Sequence, residues 1–151
     1  MGGSIYAADE KATDTPQPII ITSNTMEAIK KERLVIFKGK VVAQQKEFTV
    51  YSDELYVYYN EGEKEDIREI IAVGNVKMTQ LDRVATGDRA VYYSGERRIV
   101  LTGNPQVQQG SDTVRGEKVI VFLDEDKSFV EGTEKNRVKA VIFPKKGSAG
   151  T

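Results

Sequence analysis

The 151-residue sequence has no histidine, no cysteine and no tryptophan, and only four prolines. Without histidine there is no ordinary general base, no Ser-His-Asp or Cys-His arrangement, and the commonest zinc ligand is missing. Without cysteine there are no disulfides and no thiolate metal sites, a composition compatible with either redox compartment. Charge of one sign is lacking too: 22 basic and 23 acidic residues leave a net charge of -1, and no basic stripe marks nucleic acid as a partner. No apolar run reaches the roughly 18 residues that a membrane helix needs. No Gly-rich phosphate loop of the Walker type is present, so no nucleotide-hydrolysing site of that kind is expected. These absences lead to the expectation of no catalytic residue, no metal site and no cofactor.

The length suits one domain large enough to bury a core without staples. Residues 1–16 and 145–151 are small, polar and charged, and read as flexible tails flanking a folded domain at 17–144. Met1-Gly-Gly-Ser4 has the look of vector sequence. Ile5-Tyr-Ala-Ala8-Asp9-Glu10 fits either the remnant of a small-residue cleavage site or a plain flexible start.

What is present is a repeat. Gly39-Lys-Val41, Gly74-Asn75-Val76 and Gly103-Asn104-Pro105 recur, with a weaker copy at Gly132, and between them lie Ser52-Asp53, Gly87-Asp88 and Gly116-Glu117. Gly74 to Gly103 is 29 residues and Asp88 to Glu117 is 29; Gly39 to Gly74 and Asp53 to Asp88 are both 35. Asn24 to Asp53 is again 29, which makes Asn24 the first, degenerate marker. The long interval holds the polar stretch Asn60–Asp66, expected as a loop extension at one rim.

Between the markers run Val, Ile, Tyr, Phe and Thr without helical periodicity, so an all-β stack, roll or barrel is expected. Side chains alternate faces along a strand, and the repeat turns that alternation into an assignment. Two and four residues past the acidic marker stand Leu55 and Val57, Ala90 and Tyr92, Val119 and Val121. At the same even offsets around each glycine stand Val35, Phe37, Val41 and Ala43; Ile70, Ala72, Val76 and Met78; Ile99, Leu101, Pro105 and Val107. These are expected to line one interior, with Lys38, Lys40, Lys77, Thr79, Thr102 and Gln106 facing solvent. The glycines are expected at bends or bulges, and Asp53, Asp88 and Glu117 at turns where a carboxylate bonds local amides. Gln44, Gln45, Gln80, Gln108 and Gln109 are expected to ladder between strands, and Tyr56, Tyr58, Tyr59, Tyr92 and Tyr93 to pack in the core or at its rim.

The ordered series Pro18-Ile-Ile-Ile21-Thr-Ser23-Asn24, Gly39-Lys-Val41, Ser52-Asp53-Glu-Leu55, Gly74-Asn75-Val76, Gly87-Asp88, Leu101-Thr-Gly103-Asn104, Val107-Gln108-Gln109, Gly116-Glu117-Lys118 and Arg137-Val-Lys-Ala-Val141 resembles the OstA-like family, that of the periplasmic lipopolysaccharide-transport protein A, over roughly Pro18 to Phe143. The resemblance implies a twisted, open β-jellyroll, a V-shaped stack of antiparallel strands whose interior holds the lipid A acyl chains of lipopolysaccharide. It further implies a periplasmic location and head-to-tail homo-oligomers bridging inner-membrane-anchored and outer-membrane transport components. Asn24 departs from the Asp usual at the first repeat, and the loop at Asn60–Asp66 is unusually acidic. Matched positions suggest acyl contacts at Ile19, Ile21, Met78 and Tyr92, with Val41, Leu55, Val57, Val76, Leu101, Val107 and Val121 lining the remainder.

An unclosed sheet leaves terminal strands free for strand addition. The candidate edges are Pro18–Thr22, carrying Ile20, Ile21 and Thr22, and Arg137–Phe143, carrying Val138, Ala140, Val141 and Ile142. Two other classes compete with a lipid carrier. A β-solenoid scaffold that polymerises without ligand would share the period and the open ends. A carbohydrate-active β-helix would need two carboxylates across a cleft, whereas those here recur at one site of successive repeats.

Overall fold

The computed structural model describes residues 17–62 and 66–145. The terminal stretches 1–16 and 146–151, and the centre of the acidic insertion at 63–65, lie outside the described residues. Twelve strands form one sheet, every pairing antiparallel: β1 Ile20–Thr22, β2 Thr25–Ile29, β3 Leu34–Gln45, β4 Phe48–Tyr59, β5 Ile67–Gln80, β6 Arg83–Tyr93, β7 Arg98–Thr102, β8 Gln106–Gln109, β9 Asp112–Arg115, β10 Lys118–Phe122, β11 Lys127–Glu131 and β12 Lys139–Val141. A single 3-10 turn at Lys30–Glu32 is the only helical element among the described residues.

A crease divides this sheet lengthwise. The register shifts between Lys38 and Val41, between Tyr51 and Glu54, and between Val73 and Val76. At the corresponding level β6 hands over from β8 to β7, and Gly103-Asn104-Pro105 separates those two strands. On one side of the crease lies a first wall running β1, β3, β4, β5, β6, β8, β9, β12; on the other a second wall runs β2, β3, β4, β5, β6, β7, β10, β11.

The two repeat markers form the crease together. Gly39, Gly74 and Gly103 have φ of 91°, 88° and 80°, and the next residues, Lys40, Asn75 and Asn104, are left-handed as well. This double left-handed step makes the bulge that turns each strand from one wall to the other. Over the glycines sit the other markers: a Cβ on Gly39 would lie 2.5 Å from Asn24 Nδ2, one on Gly74 2.5 Å from Asp53 Oδ2, and one on Gly103 would collide with Asp88. Asn75 Nδ2 donates to Asp53 Oδ2 at 2.9 Å, and Asn136 donates to Glu117 at the fourth corner. The expectation of a turn is therefore corrected for Asp53 and Asp88, while Glu117 does stand at a bend, between β9 and β10. Asp53 and Asp88 lie within β4 and β6, and each fills the space above a glycine of the neighbouring strand.

The core lies between the walls. Leu101 and Val119 are 0% exposed and Val41 and Val76 1%. Leu55, Val57, Ala72, Met78, Ala90 and Ile99 complete the buried cluster. The parity assignment holds at all its inward positions: those not in the cluster pack against it, and Pro105 is fully buried. Apolar residues on both faces of the second wall have a separate explanation outside. There Arg68, Arg98 and Lys127 stack over Tyr58, Tyr93 and Phe122 at 5.4, 5.2 and 5.0 Å. Gly74→Ala, meeting both a positive φ and the Asp53 carboxylate, is expected to cost about 1–3 kcal/mol in chemical denaturation. Gly95, where an added Cβ would meet nothing within 4 Å, should tolerate alanine with a change below about 0.5 kcal/mol.

Candidate ligand-binding trough

Strand register aligns the inward residues into rows that cross the whole sheet. In the first wall one row reads Ile21, Ala43, Val50, Met78, Ala85, Val107, Val114, Ala140. In the second wall the row nearest the crease reads Met26, Phe37, Leu55, Ala72, Ala90, Leu101, Val119, Val130. The row above it reads Ala28, Val35, Val57, Ile70, Tyr92, Ile99, Val121, Ser128. Only Ser128, at the far edge, is polar. Strand spacing of about 4.8 Å over seven steps makes each row about 34 Å long.

Depth sorts the expected contact residues into two groups. Val41, Leu55, Val57, Val76 and Leu101 are at most 2% exposed and form the closed floor. Met78 is also buried. Ile21, Tyr92, Val107 and Val121 are half-buried and pack on that floor, so they present surface to the open space between the walls. Ile19 precedes β1 and is 38% exposed. Val50, Ala85 and Val114 belong to the same lining and were missed. Their signal was available, because each stands three residues before a marker (53 − 50, 88 − 85 and 117 − 114 are all 3), as Ile21 does before Asn24.

The glutamine ladder does not form. Gln45 pairs across to Phe48 and Gln80 to Phe48 and Arg83, while Gln44 faces Thr49 and Gln108 faces Val84 and Thr113. Gln45 Nε2 instead donates to the Gln17 carbonyl and Gln108 Nε2 to that of Gly110. Tyr59 and Tyr92 pack against the core, while the Tyr56 hydroxyl donates to Glu54 at 2.6 Å, a bond that raises its pKa above the usual tyrosine value. Among the described residues no group of three or more acidic side chains converges as a metal site.

The edges are shorter than expected: β1 is Ile20–Thr22 and β12 is Lys139–Val141. Both pair on one side only, β1 with β3 and β12 with β9, as do β2 with β3 and β11 with β10 in the second wall. Ile20, Met26, Phe129, Val138, Val141 and Ile142 are exposed at these ends.

The family described as LptA/(LptD N-terminal domain) LPS transport protein matches residues 20–127. The chain belongs to this family. It is 27% identical over 139 residues to the lipopolysaccharide export system protein LptA of Escherichia coli K12, covering 87% of this chain and 74% of that protein. A shorter match, 32% over 59 residues, joins it to the LPS-assembly protein LptD of Nitrosomonas europaea, covering 39% of this chain and 8% of LptD. In three dimensions it superposes on LptH of Pseudomonas aeruginosa, the LptA-homologous periplasmic component of a lipopolysaccharide transport device. The TM-score is 0.75 at 20% identity, covering 85% of this chain and 96% of LptH. The LptA-like all-β fold, open and unclosed, is thereby established for this member of the family.

The depth of the lining has a measurable consequence. Leu101→Ala, at the floor, should lower unfolding free energy in urea by about 2–5 kcal/mol. Val107→Ala, whose side chain already meets the open trough, should cost less than about 1.5 kcal/mol.

Proposed function

We propose that this chain is a non-catalytic, periplasmic carrier of lipopolysaccharide, holding the acyl chains between its two walls and passing them along head-to-tail copies of itself. The observation that carries this reading is the set of apolar rows running without interruption from one free edge of the sheet to the other. Alkyl chains laid in such a trough gain about 0.8 kcal/mol per buried methylene. Tyr92, Val107 and Val121 supply contact surface above a floor that remains closed, so ligand can enter without opening the core. Ile19, Ile21 and Met78 extend the contact, and Val41, Leu55, Val57, Val76 and Leu101 support it from beneath. A scaffold solenoid would need its interior filled, and the half-exposed second row argues against that reading.

The ends favour continuation. Each wall contains eight strand segments in antiparallel alternation, so a translated copy brings β1 antiparallel to β12 and β2 antiparallel to β11. Ala140 then leads to Ile21 of the next copy and Val130 to Met26, and the trough goes on. An open notch of about 690 Å³, lined by Gly132, Thr133, Glu134, Arg137 and Val138, adjoins this end. Such pairing is heterologous and gives open filaments. The membrane-anchored components of the transport machinery would take the two terminal positions, by the same strand addition through Ile20, Ile21 and Thr22 at one end and Val138, Ala140, Val141 and Ile142 at the other.

Photo-crosslinkers at Tyr92 and Val107 should label with lipopolysaccharide, and one at Lys77 on the outer face should not; equal labelling at all three refutes the interior site. Light scattering should show mass rising with protein concentration. Val141→Pro should abolish that rise while the circular dichroism stays that of a β-protein, and undiminished oligomers would refute assembly through β12.

A further inference from the structure

The mouth of the trough carries a second repeat pattern. Six residues before the crease glycines stand Arg33, Arg68 and Arg97 (39 − 6, 74 − 6 and 103 − 6), and six residues after them stand Gln45, Gln80 and Gln109 (39 + 6, 74 + 6 and 103 + 6). The glutamines are the last residues of β3, β5 and β8 and keep the inward parity of the lining, while Arg33 and Arg97 stand in the turns immediately before β3 and β7; both sets lie about 20 Å up their walls at about 3.3 Å per residue. The three arginines occupy one structural position, their carbonyls accepting from the backbone amides of Tyr59, Ser94 and Leu123 respectively. Arg33 and Arg97 share a left-handed backbone. The register shift beside Tyr59 turns Arg68 outward over the Tyr58 ring, so it flanks the lip.

We propose that these two lips form a polar collar that binds the hydroxyl-rich, anionic headgroup of the amphiphile whose chains occupy the trough. The inference rests on the carrier reading above and adds a headgroup subsite to it. Glutamine offers both donors and an acceptor, which suits sugar hydroxyls, and guanidinium offers five donors in a fork that suits phosphate or carboxylate. The glutamines do not bond one another, and among the described residues Gln80 and Gln109 make no side-chain hydrogen bond while being exposed. Among the described residues Arg33 and Arg97 each meet one carboxylate, Glu61 at 3.7 Å and Asp124 at 2.8 Å, with side chains 46% and 52% exposed. Exposed pairs of this kind are weak, and a single carboxylate does not use all five donors of a guanidinium. Repetition along the mouth lets the headgroup keep equivalent partners as the chains advance by one repeat.

The test compares three ligands on the full chain: lipopolysaccharide, the same material after phosphatase treatment, and an uncharged long-chain alkyl probe. Arg33→Gln/Arg97→Gln should weaken lipopolysaccharide binding about tenfold and flatten its dependence on ionic strength, while alkyl binding stays within about twofold. Arg33→Lys/Arg97→Lys should keep most of the salt dependence. Gln80→Ala/Gln109→Ala should weaken lipopolysaccharide binding about three- to tenfold without altering salt dependence. If phosphatase treatment abolishes the difference between the unaltered chain and the arginine variant, the bound anion is phosphate; if the difference persists, it is an acidic sugar. Unchanged lipopolysaccharide affinity in both the arginine and the glutamine variants, or equal loss for lipopolysaccharide and alkyl probe, overturns the collar. Failure of the unaltered chain to bind lipopolysaccharide at all would instead overturn the carrier reading.

Discussion

Everything in this molecule depends on a contact that excludes a side chain: a glycine of one strand lying beneath Asn24, Asp53 or Asp88 of its neighbour. A flat antiparallel sheet has two exposed faces and no interior. Folding it lengthwise makes one, but every strand must then change direction at the same level. The double left-handed step at Gly39-Lys40, Gly74-Asn75 and Gly103-Asn104 supplies the turn, and the marker side chain above it holds adjacent corners in register. Asn at the second position tolerates the left-handed backbone better than most residues, and the Asn75 amide is held by donating across to Asp53 on the neighbouring strand. The crease fixes the bottom of the trough but does not alone decide which residues become floor. Leu55, Leu101 and Val119, two residues from it, are sealed, and so are Val57, Met78 and Ile99, four residues away, whereas Tyr92, Val107 and Val121 at that same offset remain half-buried.

Alternation and the repeat made the inward set legible, because parity counted from a fixed marker survives any error in strand ends. Leu55, Val57, Val76 and Leu101 could be placed inside without knowledge of a single pairing. What periodicity could not convey was partnership. Asp53 and Gly74 read as two separate markers, although one fills the space above the other. The recurring glutamines looked like a ladder for the same reason: their spacing put them at one height in successive repeats, yet each repeat spans two strands. Phe48 and Arg83 come between them. Val50, Ala85 and Val114 stand an odd number of residues before the marker, and the irregularity at the marker shifts the alternation, so parity counted forward from it does not reach them.

Depth was the other quantity hidden from the sequence. Parity assigns a face and an offset from the marker, but Val57 and Tyr92 share that offset and only Val57 is sealed, so floor and lining residues look equivalent among the inward positions. The distinction matters for a carrier. A floor that stays closed keeps the fold intact when the trough is empty, and contact surface above it can exchange one alkyl chain for another without exposing Leu101 or Val119 to water. On the proposed carrier reading, the stability of the fold and the occupancy of the trough would fall to different residues of the same rows.

Leaving the sheet open has a cost that the architecture limits. Closing it into a barrel would remove the edges but also the lateral mouth through which a headgroup could project while its chains remain inside. With closure ruled out, four half-paired strands remain, two at each end, and unpaired strand edges invite indiscriminate association. Here β1 and β12 contain three residues each, which restricts how much any single stray edge can gain. In the proposed head-to-tail assembly a second copy would meet both walls at once with matching alternation, and its gain would be doubled while that of a flat competing strand would not. On the proposed carrier reading, the openness that would admit an amphiphile would also favour a second copy of the chain over a stray flat strand.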